Sequence, residues 1–232
     1  MKSVIFILLK LLKAGKLGKL FLPVISIILS IGSYAMLYGW SYAIGFVGLI
    51  FAHEMGHYIA ARHKQLNVGL PTFIPFVGAW IEMKDQPQNA EVEAYVAYAG
   101  PLVGSIASFI LYYWGRAADS GLLLALAQAG FIINLFNLIP IPPLDGGRIS
   151  SILSPRLWLL GVPLLIAVWL YHPSAMLIVI AILAFPQLIQ AWKYNPNTPE
   201  NKKYYGVSEI VRFEYGVLYL GLSIVLALML NG

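Results

Sequence analysis

The stretch "YAIGFVGLIFAHEMGHYIAA", from Tyr42 to Ala61, is apolar over most of its length but carries two histidines and a glutamate near its end. A run of about 20 apolar residues is long enough to cross a bilayer as an α-helix. Ionisable side chains inside such a helix are costly and usually serve a function. The stretch therefore predicts a membrane-spanning helix that carries a polar site.

The rest of the chain has the same apolar character, since 59% of the 232 residues are hydrophobic and only 11% are charged. Six further segments are predicted to span the membrane: 21–39, 94–114, 122–139, 157–171, 175–191 and 215–230. Only the short turn "HPSA" joins 157–171 to the next segment, so the two form either one span or two. We expect an all-α polytopic membrane protein with six or seven transmembrane helices, in one integral domain over 21–232.

Residues 1–20 intersperse lysines with apolar side chains, which predicts a basic amphipathic segment at the membrane interface. A disordered basic leader and a first span are the alternatives. If the amino terminus is cytoplasmic and there are seven spans, all 15 lysines and arginines except Arg116 lie on the cytoplasmic side. We therefore expect a multi-pass protein of a bacterial or archaeal cell membrane, whose basic surface meets lipid headgroups. The net charge of +5 then needs no nucleic-acid partner.

The motif "HEMGH" has the spacing of a zinc-binding helix. His53 and His57 are four residues apart, so they share one helix face and can bind the same zinc ion. Glu54 does not ligate in this arrangement, but it can take a proton from a water molecule that the cation has acidified. Gly56 lets another segment approach closely. Because the chain has no cysteine, any metal must be held by nitrogen and oxygen atoms.

A catalytic zinc site normally has three protein ligands, and the best candidate for the third is Asp145. Three prolines before it, in "NLIPIPPLDGGR", are predicted to end the fourth span and to keep the following turns non-helical, with Asp145 in extended backbone. Gly146 and Gly147 are predicted to allow a sharp turn. His57 and Asp145 then lie near the same membrane face. A turn or helix-cap aspartate remains the alternative interpretation.

Taken together, these motifs resemble the site-2 protease family of intramembrane zinc metalloproteases. "HEMGH" matches the metal-binding helix of that family, and "NLIPIPPLDGG", 137–147, matches its second motif. "YAGPLVGS", 98–105, is similar to its Gly-Pro motif, here Gly100 and Pro101. The resemblance covers residues 49–148, which correspond to a three-span catalytic core at about 42–150.

The resemblance implies one zinc ion per chain, with His53, His57 and Asp145 as ligands and Glu54 as the catalytic acid and base. It implies that Asn137 acts near the site, on the substrate backbone or the developing oxyanion.

Two further residues are expected to support this site. Asn134 would assist Asn137, although both asparagines could instead only bridge helices. Pro143 would rigidify the approach to Asp145. The implied substrate is a transmembrane protein, and no regulatory partner is identified. The linkers leave no room for the PDZ or nucleotide-sensing domains of other members, so we expect a compact form.

The linker 66–83 lies between the second and third predicted spans. Short apolar strands in the linker predict a small membrane-associated β-hairpin or loop, to which an extended substrate could add as a strand. The polar segment 193–212 is predicted to be a solvated loop.

One competing function is a membrane metalloprotease of another family, with Glu214 as third ligand. The other is a transporter that uses the same His, Glu and Asp cluster.

Overall fold

The computed structural model describes residues 16–76 and 78–231, which are mostly helical and include one small hairpin. The helices are α1 (Lys16–Tyr38), α2 (Trp40–His63), α3 (Ala90–Ala117), α4 (Gly121–Asn137), α5 (Asp145–Ser150), α6 (Gly161–Tyr171), α7 (Ala175–Trp192), α8 (Pro199–Tyr205) and α9 (Glu209–Asn231). A 3₁₀ helix, Pro155–Leu160, leads into α6, and the hairpin consists of β1 (Thr72–Ile74) and β2 (Gly78–Trp80). The predicted all-α fold class is confirmed.

All seven segments predicted to span the membrane are largely helical. Within the described ranges, five helices are long and apolar enough to cross a bilayer: α1 from Phe21 onwards, α2, α3, α7 and α9. The 17 residues of α4 and the combined segment Pro155–Tyr171 are apolar but shorter. At 1.5 Å per residue α4 is about 26 Å long, slightly less than a typical hydrocarbon core of about 30 Å. The protein is therefore an integral membrane protein, and the count of six or seven spans stays a prediction.

The centre of the fold is α3, which packs along α2 on one side and along α4 on the other. Small residues allow this close approach. A side-chain carbon at Gly56 in α2 would overlap the backbone carbonyl of Ala99 in α3, and one at Gly130 in α4 would overlap the side chain of Ser108. Interfaces between membrane helices depend on such small residues, because close packing replaces the hydrophobic effect as the driving force.

The predicted hairpin is present between α2 and α3. Its two strands are antiparallel, with Phe73 opposite Ala79, and a further bridge joins Val68 to Met83. Phe73 is buried, and its backbone N–H donates to Ser26 Oγ of α1 across 2.9 Å. This hydrogen bond attaches the outer edge of β1 to the first helix.

The segments 193–212 and 1–20 lie outside the predicted spans. Residues 193–212, predicted to be a solvated loop, contain α8 and the first turn of α9. The helix begins there because the side chain of Thr198 caps the N–H of Asn201 and Pro199 occupies the first position. The predicted amphipathic segment 1–20 lies mostly outside the described residues, and residues 16–20 are helical and continuous with the first span.

Candidate metal centre

The side chains of His53, His57 and Asp145 converge on one point although Asp145 is 88 residues from the nearer histidine. His53 Nε2 lies 3.1 Å from His57 Nε2 and 3.1 Å from Asp145 Oδ2, and His57 Nε2 lies 3.2 Å from the same oxygen. All three residues are buried. Among the residues that the structure describes, this is the one group of three metal-binding side chains. Glu214, the alternative third ligand, is exposed on α9 and lies outside the group.

The triangle of ligand atoms fits a zinc ion. Atoms that surround zinc tetrahedrally at about 2.0–2.2 Å lie about 3.3–3.6 Å from one another. The observed separations are within a few tenths of an ångström of this range. Two histidine nitrogens and one carboxylate oxygen are also the ligand types of catalytic zinc sites, which keep a fourth position open.

The other ring nitrogen of each histidine is held by a hydrogen bond. His57 Nδ1 lies 2.8 Å from the backbone carbonyl oxygen of Val96, which can only accept. His53 Nδ1 lies 2.8 Å from Asn134 Oδ1, and the amide group of Asn134 donates through Nδ2 to the Gly130 carbonyl across 2.7 Å. Each Nδ1 therefore carries the proton, so that both Nε2 lone pairs point at the metal position.

Two glycines of α3 make room for the ligand His57 and for Asn134, which holds the ligand His53. A side-chain carbon at Gly100 would overlap the imidazole of His57, and one at Gly104 would overlap the amide of Asn134. The neighbouring Pro101 is buried inside α3, and its carbonyl accepts a hydrogen bond from Ser105 Oγ. The Gly-Pro motif thus lies directly against a proposed ligand.

Asp145 reaches the centre from the amino-terminal residue of α5, not from the extended backbone that the sequence predicted. Leu144 is the extended residue, one position earlier. The predicted sharp turn at Gly146 and Gly147 is also wrong, because both lie inside α5. Side chains there would overlap the backbone of residues 138–142, which turns tightly after α4. The glycines are needed because α5 packs directly on that backbone.

The remaining predicted site residues belong to the same helices as the centre or to the segment before Asp145, and their roles stay predictions. Glu54 is half-buried and follows the first ligand on α2. Asn137 is half-buried at the end of α4, and its Nδ2 donates to the Ile133 carbonyl across 3.0 Å. Pro143 is exposed and is joined to Pro142 by a cis peptide bond.

Sequence reasoning missed two parts of the centre. The Val96 carbonyl that orients His57 is a backbone group, so the residue type at position 96 gives no indication of this contact. Gly104, which makes room for Asn134, did leave a signal: it lies four residues after Gly100 and therefore on the same helix face.

Comparison with known proteins supports this description of the centre. Residues 41–121 match the model of Peptidase family M50, which is the site-2 protease family. The match contains both histidines, Glu54 and the Gly-Pro motif, and it ends before Asp145. The convergence of Asp145 with the histidines is therefore an observation from the fold, separate from the family match.

Several relatives carry zinc metalloprotease in their names. The zinc metalloprotease MJ0392 of Methanocaldococcus jannaschii is 33% identical over 144 residues, which cover 59% of this chain and 41% of the relative. Rip3 of Mycobacterium tuberculosis is 26% identical, covering 52% of this chain and 33% of the relative. The chloroplastic EGY1 of Arabidopsis thaliana is 30% identical over 32% of this chain and 14% of the relative. The chain thus spans less than half the length of these relatives.

The membrane helices and the buried His, His and Asp centre agree with this similarity to zinc metalloproteases. The resemblance to the site-2 protease family is confirmed, since residues 41–121 match the model of Peptidase family M50. The predicted zinc cofactor agrees with the ligand cluster and with the names of the relatives.

Proposed function

We propose that the chain is an intramembrane zinc metalloprotease, which hydrolyses peptide bonds in or near transmembrane segments of other membrane proteins on the cytoplasmic side. The observation that carries the proposal is the meeting of His53 Nε2, His57 Nε2 and Asp145 Oδ2 within 3.2 Å of one another. A half-buried glutamate lies next to one ligand on the same helix. This is the combination that metal-assisted peptide hydrolysis requires.

The residues divide the chemistry between them. His53, His57 and Asp145 would hold a zinc ion, which would supply polarisation of a peptide carbonyl and a lower pKa of bound water. Glu54 receives the proton of the attacking water and returns it to the leaving amine. Asn137 Nδ2 carries two hydrogens, of which one bonds to Ile133 and the other remains for the substrate carbonyl.

The hairpin offers an edge for an extended substrate. Because Phe73 N–H donates to Ser26 rather than to β2, Phe73 and Ala79 form a non-hydrogen-bonded pair. The N–H and C=O of Ala79 therefore point away from β1, and β2 packs beside α2, which carries the ligands. A substrate strand that pairs with this edge of β2 would be unwound next to the metal centre.

A reconstituted assay tests the proposal. Purified chain in liposomes with a single-span membrane substrate should release a cleaved fragment, and Glu54→Gln should abolish release while zinc is retained. Glu214→Gln, which changes an exposed glutamate on α9, is the matched control and should cleave like the unaltered chain. Cleavage retained by Glu54→Gln would refute the role of Glu54. Zinc or proton transport with no cleavage of any membrane substrate would favour a transporter instead.

A further inference from the structure

Arg148 is the one charged side chain of α5 besides the ligand Asp145, and its guanidinium contacts three separate elements. Its Nε donates to Glu93 Oε1 in the first turn of α3 across 3.4 Å. Its Nη1 lies 4.0 Å from Asp145 Oδ1, and its Nη2 lies 3.9 Å from the sulfur of Met83, at the end of the hairpin segment. A planar guanidinium presents its N–H donors in fixed directions, whereas a lysine ammonium is a compact charge with rotating donors.

The two oxygens of Asp145 have different surroundings as a result. Oδ2 faces both histidines, whereas Oδ1 faces Arg148. At 4.0 Å the contact with Arg148 is an ion pair and not a hydrogen bond, so it acts by charge attraction across a largely buried gap. This attraction favours the rotamer in which a single oxygen of Asp145 points at the metal position.

Arg148 is also linked, through Glu93, to Tyr204, a residue outside the membrane-spanning helices. Glu93 accepts a hydrogen bond from the Tyr204 hydroxyl at Oε2, across 2.6 Å, and it meets Arg148 with Oε1. Tyr204 belongs to α8, which lies between the last two long helices. Burial and the Glu93 carboxylate raise the pKa of Tyr204, so its hydroxyl stays protonated and can donate. A continuous chain of contacts thus runs from Tyr204 through Glu93 and Arg148 to Asp145.

We propose that Arg148 is a positioning residue for the third metal ligand, and that Glu93 and the α8 residue Tyr204 hold Arg148 in place. The segment 199–205 thereby supports the metal centre without touching it. This inference rests on the proposed function only in requiring that the three ligands bind a metal ion. Outer contacts of this kind typically change metal affinity about 10- to 100-fold when they are removed.

The test separates positioning from ordinary fold stabilisation. Full-length chain in detergent is loaded with Co²⁺, whose visible absorption spectrum reports ligand geometry, and its affinity is measured by titration. Arg148→Gln and Tyr204→Phe are compared with two matched controls. Arg156→Gln removes an exposed arginine whose side chain donates to the backbone carbonyl of Tyr194 and not to a residue of this chain of contacts. Tyr205→Phe removes the neighbouring hydroxyl and keeps the ring that packs on Tyr204.

We expect Arg148→Gln to weaken Co²⁺ binding by about 10- to 100-fold and to shift the absorption bands. Tyr204→Phe should shift the bands in the same direction with a smaller loss of affinity. Arg156→Gln and Tyr205→Phe should leave both the Co²⁺ affinity and the spectrum unchanged. If Arg148→Gln does not fold, Tyr204→Phe, which removes one oxygen atom, carries the test alone.

Unaltered spectra and affinity in Arg148→Gln and Tyr204→Phe, with Co²⁺ bound normally by the unaltered chain, would overturn the inference and leave the proposed function standing. Absence of Co²⁺ binding by the unaltered chain would instead contradict the metal site on which the proposed function depends.

Discussion

Asn134 accepts the Nδ1 proton of His53 across 2.8 Å, and both residues are buried, with 2% and 4% of their surface exposed. Asn137, one helical turn further along α4, has its side-chain amide on the Ile133 carbonyl instead. The two asparagines of one motif therefore have different surroundings, one behind a proposed ligand and the other at the end of the helix.

This difference predicts separate effects of the two substitutions. Asn134→Ala should leave His53 Nδ1 buried without an acceptor and lower zinc affinity by about 10- to 100-fold. Asn137→Ala should retain zinc and lose cleavage, because its proposed role is on the substrate. Zinc titration and a cleavage assay on the same two preparations check both halves. Equal zinc affinity in the two variants would contradict the assignment of Asn134.

The glycine that faces His57 gives a second prediction. Gly100→Ala places a methyl group against the imidazole of His57, so we expect a loss of about 1–3 kcal/mol in stability together with weaker zinc binding. Gly48→Ala on α2 is the control, since nothing lies within 4 Å of its added carbon. Thermal unfolding and zinc titration of both variants provide the measurement. A zinc affinity in Gly100→Ala equal to that in Gly48→Ala would show that the close approach does not shape the site.

The hairpin edge gives a third prediction. Ala79→Pro removes an N–H that points away from β1, so the hairpin itself should persist while an added substrate strand loses a hydrogen bond. Cleavage should fall without loss of zinc. Ala79→Val keeps the N–H and serves as the control for a changed side chain. Full cleavage by Ala79→Pro would argue against strand addition at β2.

Sidedness gives a fourth prediction. Because the chain contains no cysteine, single cysteines at Asp119, Ser174 and Ser208 can report topology by labelling with an impermeant thiol reagent. These three positions are exposed at helix ends. With a cytoplasmic amino terminus and seven spans, the first two should label in intact cells and Ser208→Cys only after permeabilisation. The reverse pattern would move the metal centre and the predicted cut to the other side of the membrane.

The sequence predicted the fold class and the ligand cluster because both follow from strong local signals. Apolar length determines which segments can span a bilayer, and the spacing of His53 and His57 is a property of any α-helix. The Asp145 motif carried prolines that end α4 after Asn137. His57 and Asp145 were predicted to lie near the same membrane face from the order of the spans alone. That prediction did not require knowledge of how the helices pack.

The details that sequence could not supply are those decided by tertiary contact. Whether Asn134 or Asn137 contacts His53 depends on the rotation of α4 about its axis. The backbone of Asp145 is helical because α5 packs on residues 138–142, which makes Gly146 a site of close approach and not a turn. The Tyr204 contact with Glu93 joins residues 111 positions apart, and no local pattern indicates such a pairing.

The most direct test of the account is the zinc content of the purified chain, measured by elemental analysis. We predict about one zinc per chain for the unaltered protein and close to none for His57→Ala and Asp145→Ala, because each removes one of only three ligands. His63→Ala is the control, since it removes an exposed histidine from the last position of the same helix and should retain the metal. Two zinc ions per chain, or unchanged zinc in Asp145→Ala, would contradict the proposed centre.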